Sequence, residues 1–293
     1  VTRAAPPDVR RTPVAPGVTL HVLARALEGE GTPVLLVHGL ASNARLWDGV
    51  ATRLAAYGHP VVAVDQRGHG LSDKPDDGYD FATLTEDLTA LLTDLDWRAD
   101  RTPAVAGQSW GANVALELAV RHPAATRALV LVDGGTTDLA NRFADWPTCE
   151  AALAPPALTG TKAVDFEAMI RLHHPDWPEE GIAGTLANVE TRPDGTIQPW
   201  LSRDHHLTIL RHLWEHRPSA RYSGAKVPVL VLPAESSGNT RWMAMKRDDV
   251  ARAGVALERS VTRWIRGDHD LHAQHPALVA ELIHEATGEG LFP

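Results

Sequence analysis

At 293 residues the chain has room for one compact α/β domain with a substantial insertion, or for two domains, and is too long for a small stapled module. A formal net charge of −9, with basic residues scattered, gives no footprint for gripping nucleic acid or an anionic membrane, and a small neutral or apolar partner fits better. The single cysteine, Cys149, closes no internal disulfide, no apolar run approaches the ~20 residues of a bilayer span, and the Pro- and Arg-rich arm 1–17 lacks a signal-like apolar core; the expectation is a cytoplasmic protein.

In chain order, short apolar runs bounded by turn residues occur at 34–37, 61–64, 104–106, 128–132 and 229–232, and read as strands buried on both faces. Segments with helical spacing lie among them at 46–56, 84–95, 110–121 and 276–286. This alternation predicts a mostly parallel sheet, of about eight strands, with helices on both sides. It fails between about Gly135 and Gly224, where Trp146, Trp177, Trp200 and Trp214 are interspersed with prolines and acidic residues. That stretch reads as a mainly helical lid inserted between core segments 1–134 and 225–293. Within it, Arg192-Pro-Asp-Gly195 suggests a hairpin and 207–214 a helix. The four tryptophans are candidate pocket walls, although for any one of them packing the lid onto the core is the preferred reading.

The chemistry concentrates at Gly107-Gln-Ser-Trp-Gly111, which follows a predicted strand and opens a predicted helix. A sharp strand-to-helix turn of this kind exposes its central residue, Ser109, and needs small neighbours so that adjacent backbones can approach. Further motifs are His38-Gly39-Leu40 after the first core strand, Asp65-Gln-Arg-Gly-His-Gly70, and a late histidine before Pro276. With these four features, over nearly the whole chain outside the lid, the sequence resembles the α/β-hydrolase superfamily. The resemblance implies a serine esterase or lactonase that needs neither cofactor nor metal. Ser109 would be its nucleophile, and the backbone N–H groups of Leu40 and Trp110 its oxyanion hole. It also implies that Asp65 to Gly70 is a structural turn, and His38 is read as a loop-ordering residue.

Fifteen histidines compete to be the base. His269 is selected because it lies in a loop after the strand-like 261–265 and before the helix at Pro276, matching the family order of serine, acid, histidine. His272 and His275 are the rivals, otherwise read as partly exposed loop or helix-start residues. The acid departs from the usual pattern, because Ser237 falls at the position that aligns with it. Asp133, directly after the strand 128–132, and Glu235 are the two replacements, and Asp133 is preferred.

Other classes remain in view. His212-Leu-Trp-Glu-His216 spells an H-x-x-E-H zinc pattern, set aside as a chance spacing in a histidine-rich chain, so no metal is expected. A serine at the elbow argues against epoxide opening or halide displacement. Cofactor-free perhydrolysis, carbon–carbon bond hydrolysis and a non-catalytic small-molecule receptor are the alternatives to ester cleavage.

Overall fold

The computed structural model describes residues 5–236, 238 and 240–288, so Ser237, the position aligned with the usual acid, lies outside the described residues. The first two strands, β1 (Asp8–Ala15) and β2 (Val18–Arg25), form an antiparallel hairpin. Alternating elements follow: β3 (Val34–Val37), α1 (Asp48–Ala56), β4 (Val61–Val64), α2 (Phe81–Asp94), β5 (Ala104–Gln108), α3 (Trp110–Arg121) and β6 (Ala128–Val132). Between β6 and the next strand of the main sheet come α4 (Trp146–Leu153), α5 (Ala163–His173), α6 (Glu179–Leu186), the hairpin β7 (Val189–Thr191) and β8 (Ile197–Pro199), and α7 (Arg203–Glu215). The chain then returns through β9 (Val229–Leu232), β10 (Ala234–Glu235), α8 (Thr240–Ala256), β11 (Ser260–Thr262), β12 (Ile265–Arg266), α9 (Leu271–Gln274) and α10 (Pro276–Thr287).

Eight strands form the main sheet in the order β1-β2-β4-β3-β5-β6-β9-β11, parallel from β4 onward and antiparallel at the β1 edge. Every residue of β3, β4, β5, β6 and β9 is buried, which is why these strands read as continuous apolar runs. Successive side chains go to opposite faces. Leu35, Val37, Val105, Leu129 and Leu131 pack with Leu88 of α2, Leu116 of α3 and Val250 of α8. Leu36, Ala106, Val130 and Leu232 pack with Leu54 of α1 and Val279 and Ile283 of α10. A third, smaller cluster brings Phe166, Ile170, Trp177, Ile182 and Ile197, from the stretch between β6 and β9, against Leu46 and Ala273.

Three local features go beyond the sequence reading or alter it. Part of the arm 1–17 is the strand β1, whose mostly exposed residues give no apolar run to read. As the edge strand it tolerates Pro13, next to which the register shifts. The segment 261–265 is two short strands, β11 on β9 and β12 on β10, so the loop bearing His269 leaves from a second, two-stranded sheet. Helix α8, with a polar sequence, is an element that the apolar patterning does not predict. No helix among the described residues is long and apolar enough to cross a membrane.

Candidate active site

The turn between β5 and α3 holds Ser109 at φ 54°, ψ −117°, a positive-φ geometry costly for a residue with a Cβ. It is over-determined by its surroundings. Ser109 N–H donates to Val132 O at 2.9 Å, while its carbonyl accepts from Ala112 N–H and from Asn113 Nδ2, each at 3.1 Å. A Cβ on Gly107 would sit 2.2 Å from Gly111 O, so the small residues flanking the serine are a steric requirement. Gly134 is equally constrained, since its Cβ would lie 2.2 Å from Ser109 O. No motif flagged that second contact.

His269 lies between β12 and α9 with its side chain 56% exposed. Its Nδ1 is 2.6 Å from Oδ2 of Asp133, and its carbonyl accepts from Nε2 of Gln108, the residue before the serine. Asp133 projects from the end of β6 at φ 45°, its carboxylate 4% exposed. Its second oxygen, Oδ1, accepts from Ala234 N–H at 2.8 Å and pairs with Nζ of Lys246. Burial alone would raise the Asp133 pKa, but the His269 hydrogen bond and the charges of His269 and Lys246 outweigh it and hold the carboxyl below its ordinary value. For His269, desolvation works downward, yet the hydrogen bond and charge of Asp133, aided by Asp270, leave the imidazole above its usual range. Glu235, the other acid considered, faces away. It accepts from Arg247 Nη2 at 2.6 Å in an exposed pair, because β10 is tied to β12 in a register that carries it outward.

Ser109 and His269 both line two cavities. The wider, about 340 Å³, is walled by Trp110, Gly134, Leu139, Leu213 and Trp242, with polar groups from Asn113, Thr136, Thr137, Ser236 and Lys246. The narrower, about 170 Å³, includes Leu40, Ser42, Gln108, His174, Trp177, Asn188 and Asp270. Leu40 lines the narrower cavity and Trp110 the wider. The Trp110 amide is the first of α3 and has no intrahelical acceptor. The His38-to-Gly70 stretch builds the support. His38 Nδ1 is 2.7 Å from Gly39 O and its Nε2 accepts from Gln66 N–H, while His69 Nε2 accepts from Ala41 N–H. Asp65 accepts from the amides of Ala44 and Leu71, and Arg67 forks onto Asp87.

Among the tryptophans weighed as pocket walls, Trp177 lines the narrower cavity, its Nε1 donating to Asp268. Trp146, Trp200 and Trp214 line neither. Trp146 and Trp214 pack on each other with Arg211 over both rings, Trp214 donates to Phe143 O, and Lys74 lies over Trp200. These contacts are of the packing kind, and Trp242 of α8 lines the wider cavity. His272 is also corrected: it is fully buried against Trp47, and burial pushes its pKa down to about 3. His275 Nε2 donates to Arg266 O from a half-buried position. In the H-x-x-E-H segment, α7 ends at Glu215, whose carboxylate pairs with Arg211, while His216 turns inward onto Phe81. No group of three or more His, Cys, Asp or Glu side chains among the described residues is arranged to hold a metal ion. Cys149 is buried in α4.

Comparison with known proteins adds three findings. Residues 34–282 match the model of the alpha/beta hydrolase family. The chain is 29% identical over 220 residues, 75% of each chain, to a 2-(acetamidomethylene)succinate hydrolase of Mesorhizobium japonicum. Its fold is similar to the crystal structure of E-2-(acetamidomethylene)succinate hydrolase, with a TM-score of 0.77 over 94% of this chain and 97% of that one at 24% identity. It is also similar to the thioesterase domain from the curacin biosynthetic pathway, with a TM-score of 0.73 over 95% and 99% at 20% identity. At these identities the two structures speak for the fold alone.

Proposed function

The chain belongs to the alpha/beta hydrolase family, and we propose that it is a serine hydrolase that cleaves a carboxylic ester or lactone of a small substrate through an acyl-enzyme on Ser109. The observation that carries this reading is the serine held at φ 54° beside a histidine whose Nδ1 meets a buried carboxylate at 2.6 Å. Asp133 keeps the proton of His269 on Nδ1, which leaves Nε2 free to take the Ser109 proton as Oγ attacks the carbonyl. The amides of Leu40 and Trp110 receive the developing oxyanion, each worth on the order of 3 kcal/mol of barrier. The leaving group departs with the proton from His269, and water repeats the cycle on the acyl-enzyme. Two cavities meeting at Ser109 suit the two halves of a cleaved bond. The inserted segment 135–224 acts as the lid, contributing Leu139, Leu213, His174 and Trp177 to their walls.

A second reading has its own support. The Mesorhizobium relative is named for an acetamido-substituted succinate, and Lys246, Asn113 and the threonines make the wider cavity more polar than an apolar substrate requires. On this reading the scissile bond is an amide on a carboxylate-bearing substrate, cleaved by the same groups.

The test is incubation with a fluorophosphonate, mapping of the adduct by mass spectrometry, and turnover of p-nitrophenyl esters of increasing length beside N-acetylated amino-acrylate carboxylates. An adduct on Ser109, and turnover that vanishes in Ser109→Ala and His269→Ala, support the serine mechanism, and the preferred panel separates the two substrate readings. Full turnover by Ser109→Ala would end both.

A further inference from the structure

Lys246 belongs to none of the motifs in the sequence, yet it reaches the centre of the site. It comes from α8, its side chain is 14% exposed, and it lines the wider cavity with Ser109 and His269. Its ammonium has three N–H donors. One pairs with Asp133 Oδ1 and another donates to Ala234 O at 2.8 Å, while Ala234 N–H donates back to the same Oδ1. Lysine, carboxylate and the Ala234 peptide therefore form a closed clamp that occupies Oδ1 and turns Oδ2 toward His269.

We infer that Lys246 is a positioning residue for the reaction: it fixes the rotation of Asp133 and moderates the basicity of His269 by placing a cation on the far side of the carboxylate. This rests on the serine-hydrolase reading above. A buried carboxylate hydrogen-bonded by a histidine and a backbone amide does not need a full counter-charge to be satisfied, and that counter-charge works against the imidazolium formed when Ser109 gives up its proton. The compensation is a base that stays unprotonated, hence competent, at lower pH.

The other charges around His269 are placed differently. Asp268 and Asp270 flank it on its own loop, His174 at the end of α5 lies near Asp268, and the buried His272 of α9 and His38 after β3 stand behind. Around Lys246, the neighbouring Arg247 is occupied by Glu235. Among the residues lining the wider cavity, only Asp133, His269 and Lys246 are charged or readily become so, so Lys246 is the cation that balances the acid there. The Lys246 charge acts in a consistent sense on both partners, opposing protonation of His269 and favouring ionisation of Asp133.

The experiment compares the parent with Lys246→Met and Lys246→Arg. Measurements are the pH dependence of kcat/KM, the pH dependence of fluorophosphonate labelling of Ser109, and the titration of the His269 ring by NMR of isotope-labelled imidazole. Removing a unit charge a few ångströms away moves the acid limb of Lys246→Met upward by about half a pH unit or more, roughly a threefold further loss of rate at a fixed pH on that limb. Lys246→Arg, which keeps the charge, stays close to the parent limb. An acid limb and an imidazole titration unmoved in Lys246→Met would overturn the inference, whatever happens to its melting temperature. If no ester is turned over and Ser109 is not labelled, the hydrolase reading fails, and the NMR titration still decides for or against Lys246.

Discussion

Asp133→Asn tests the acid assignment most directly, because the clamp dictates how an asparagine must sit. Oδ1 of Asp133 accepts from Ala234 N–H and pairs with Lys246, so the side-chain carbonyl of an asparagine takes that place and its NH2 group takes the place of Oδ2. A donor then faces His269 Nδ1 across the 2.6 Å contact that an acceptor held before. The imidazole must answer with a lone pair, carrying its proton on Nε2, where it can no longer receive one from Ser109. The same aspartate-to-asparagine exchange in the triad of a serine protease lowers kcat by about 10⁴, equal to about 5 kcal/mol of barrier, and a similar loss is expected here. The assay is kcat and kcat/KM on the best ester or amide of the panel, with near-ultraviolet circular dichroism to show that the fold is retained. The contrasting variant is Glu235→Gln, which loses only an exposed pair with Arg247 and should leave kcat within about twofold. Turnover of Asp133→Asn within tenfold of the parent would refute the tautomer argument, and a large loss in Glu235→Gln would move the acid to that residue.

Two further outcomes follow from packing and burial. Gly134→Ala would bring a methyl to 2.2 Å from Ser109 O, so Ser109 labelling should be abolished or slowed at least about tenfold, with a stability loss of about 1–3 kcal/mol in urea titrations; unchanged labelling would contradict the backbone geometry of the turn. Burial holds His206 and His216 down to about 4 and His272 down to about 3, below the value near 6.5 expected in the unfolded chain. Between those limits the unfolded state binds more protons, so the stability these three contribute is present above about pH 6.5 and is lost as pH falls. At pH 5 the loss is about 2 kcal/mol for each. His269, raised rather than lowered, runs the opposite way and offsets a part. Urea unfolding at pH 7 and pH 5 measures the sum, and equal free energies at the two values would show that these imidazoles are not neutral and buried as described.

The five core strands, the four helices α1, α2, α3 and α10 around them and the serine turn were legible in the sequence for one reason: each is a local pattern. A strand buried on both faces must be an unbroken apolar run, and a turn that squeezes two backbones together must have glycines at fixed offsets. Such constraints act within about ten residues. The edge strand β1 and helix α8 escaped because the first is mostly exposed and the second mostly polar, and their places are fixed by pairing and packing rather than by composition. The choice of acid was beyond any local rule. Sequence order points to Ser237, but what matters is which carboxylate can reach the imidazole, and Asp133 does so across 136 positions of chain because parallel strands bring β6 and the loop after β12 to the same end of the molecule. The same reasoning covers Lys246, Gly134 and Trp242. Sequence alone determined that a serine would be presented where a buried strand turns into a helix; tertiary structure decided which charges surround it, because charges act through space and sequence separation does not measure that distance.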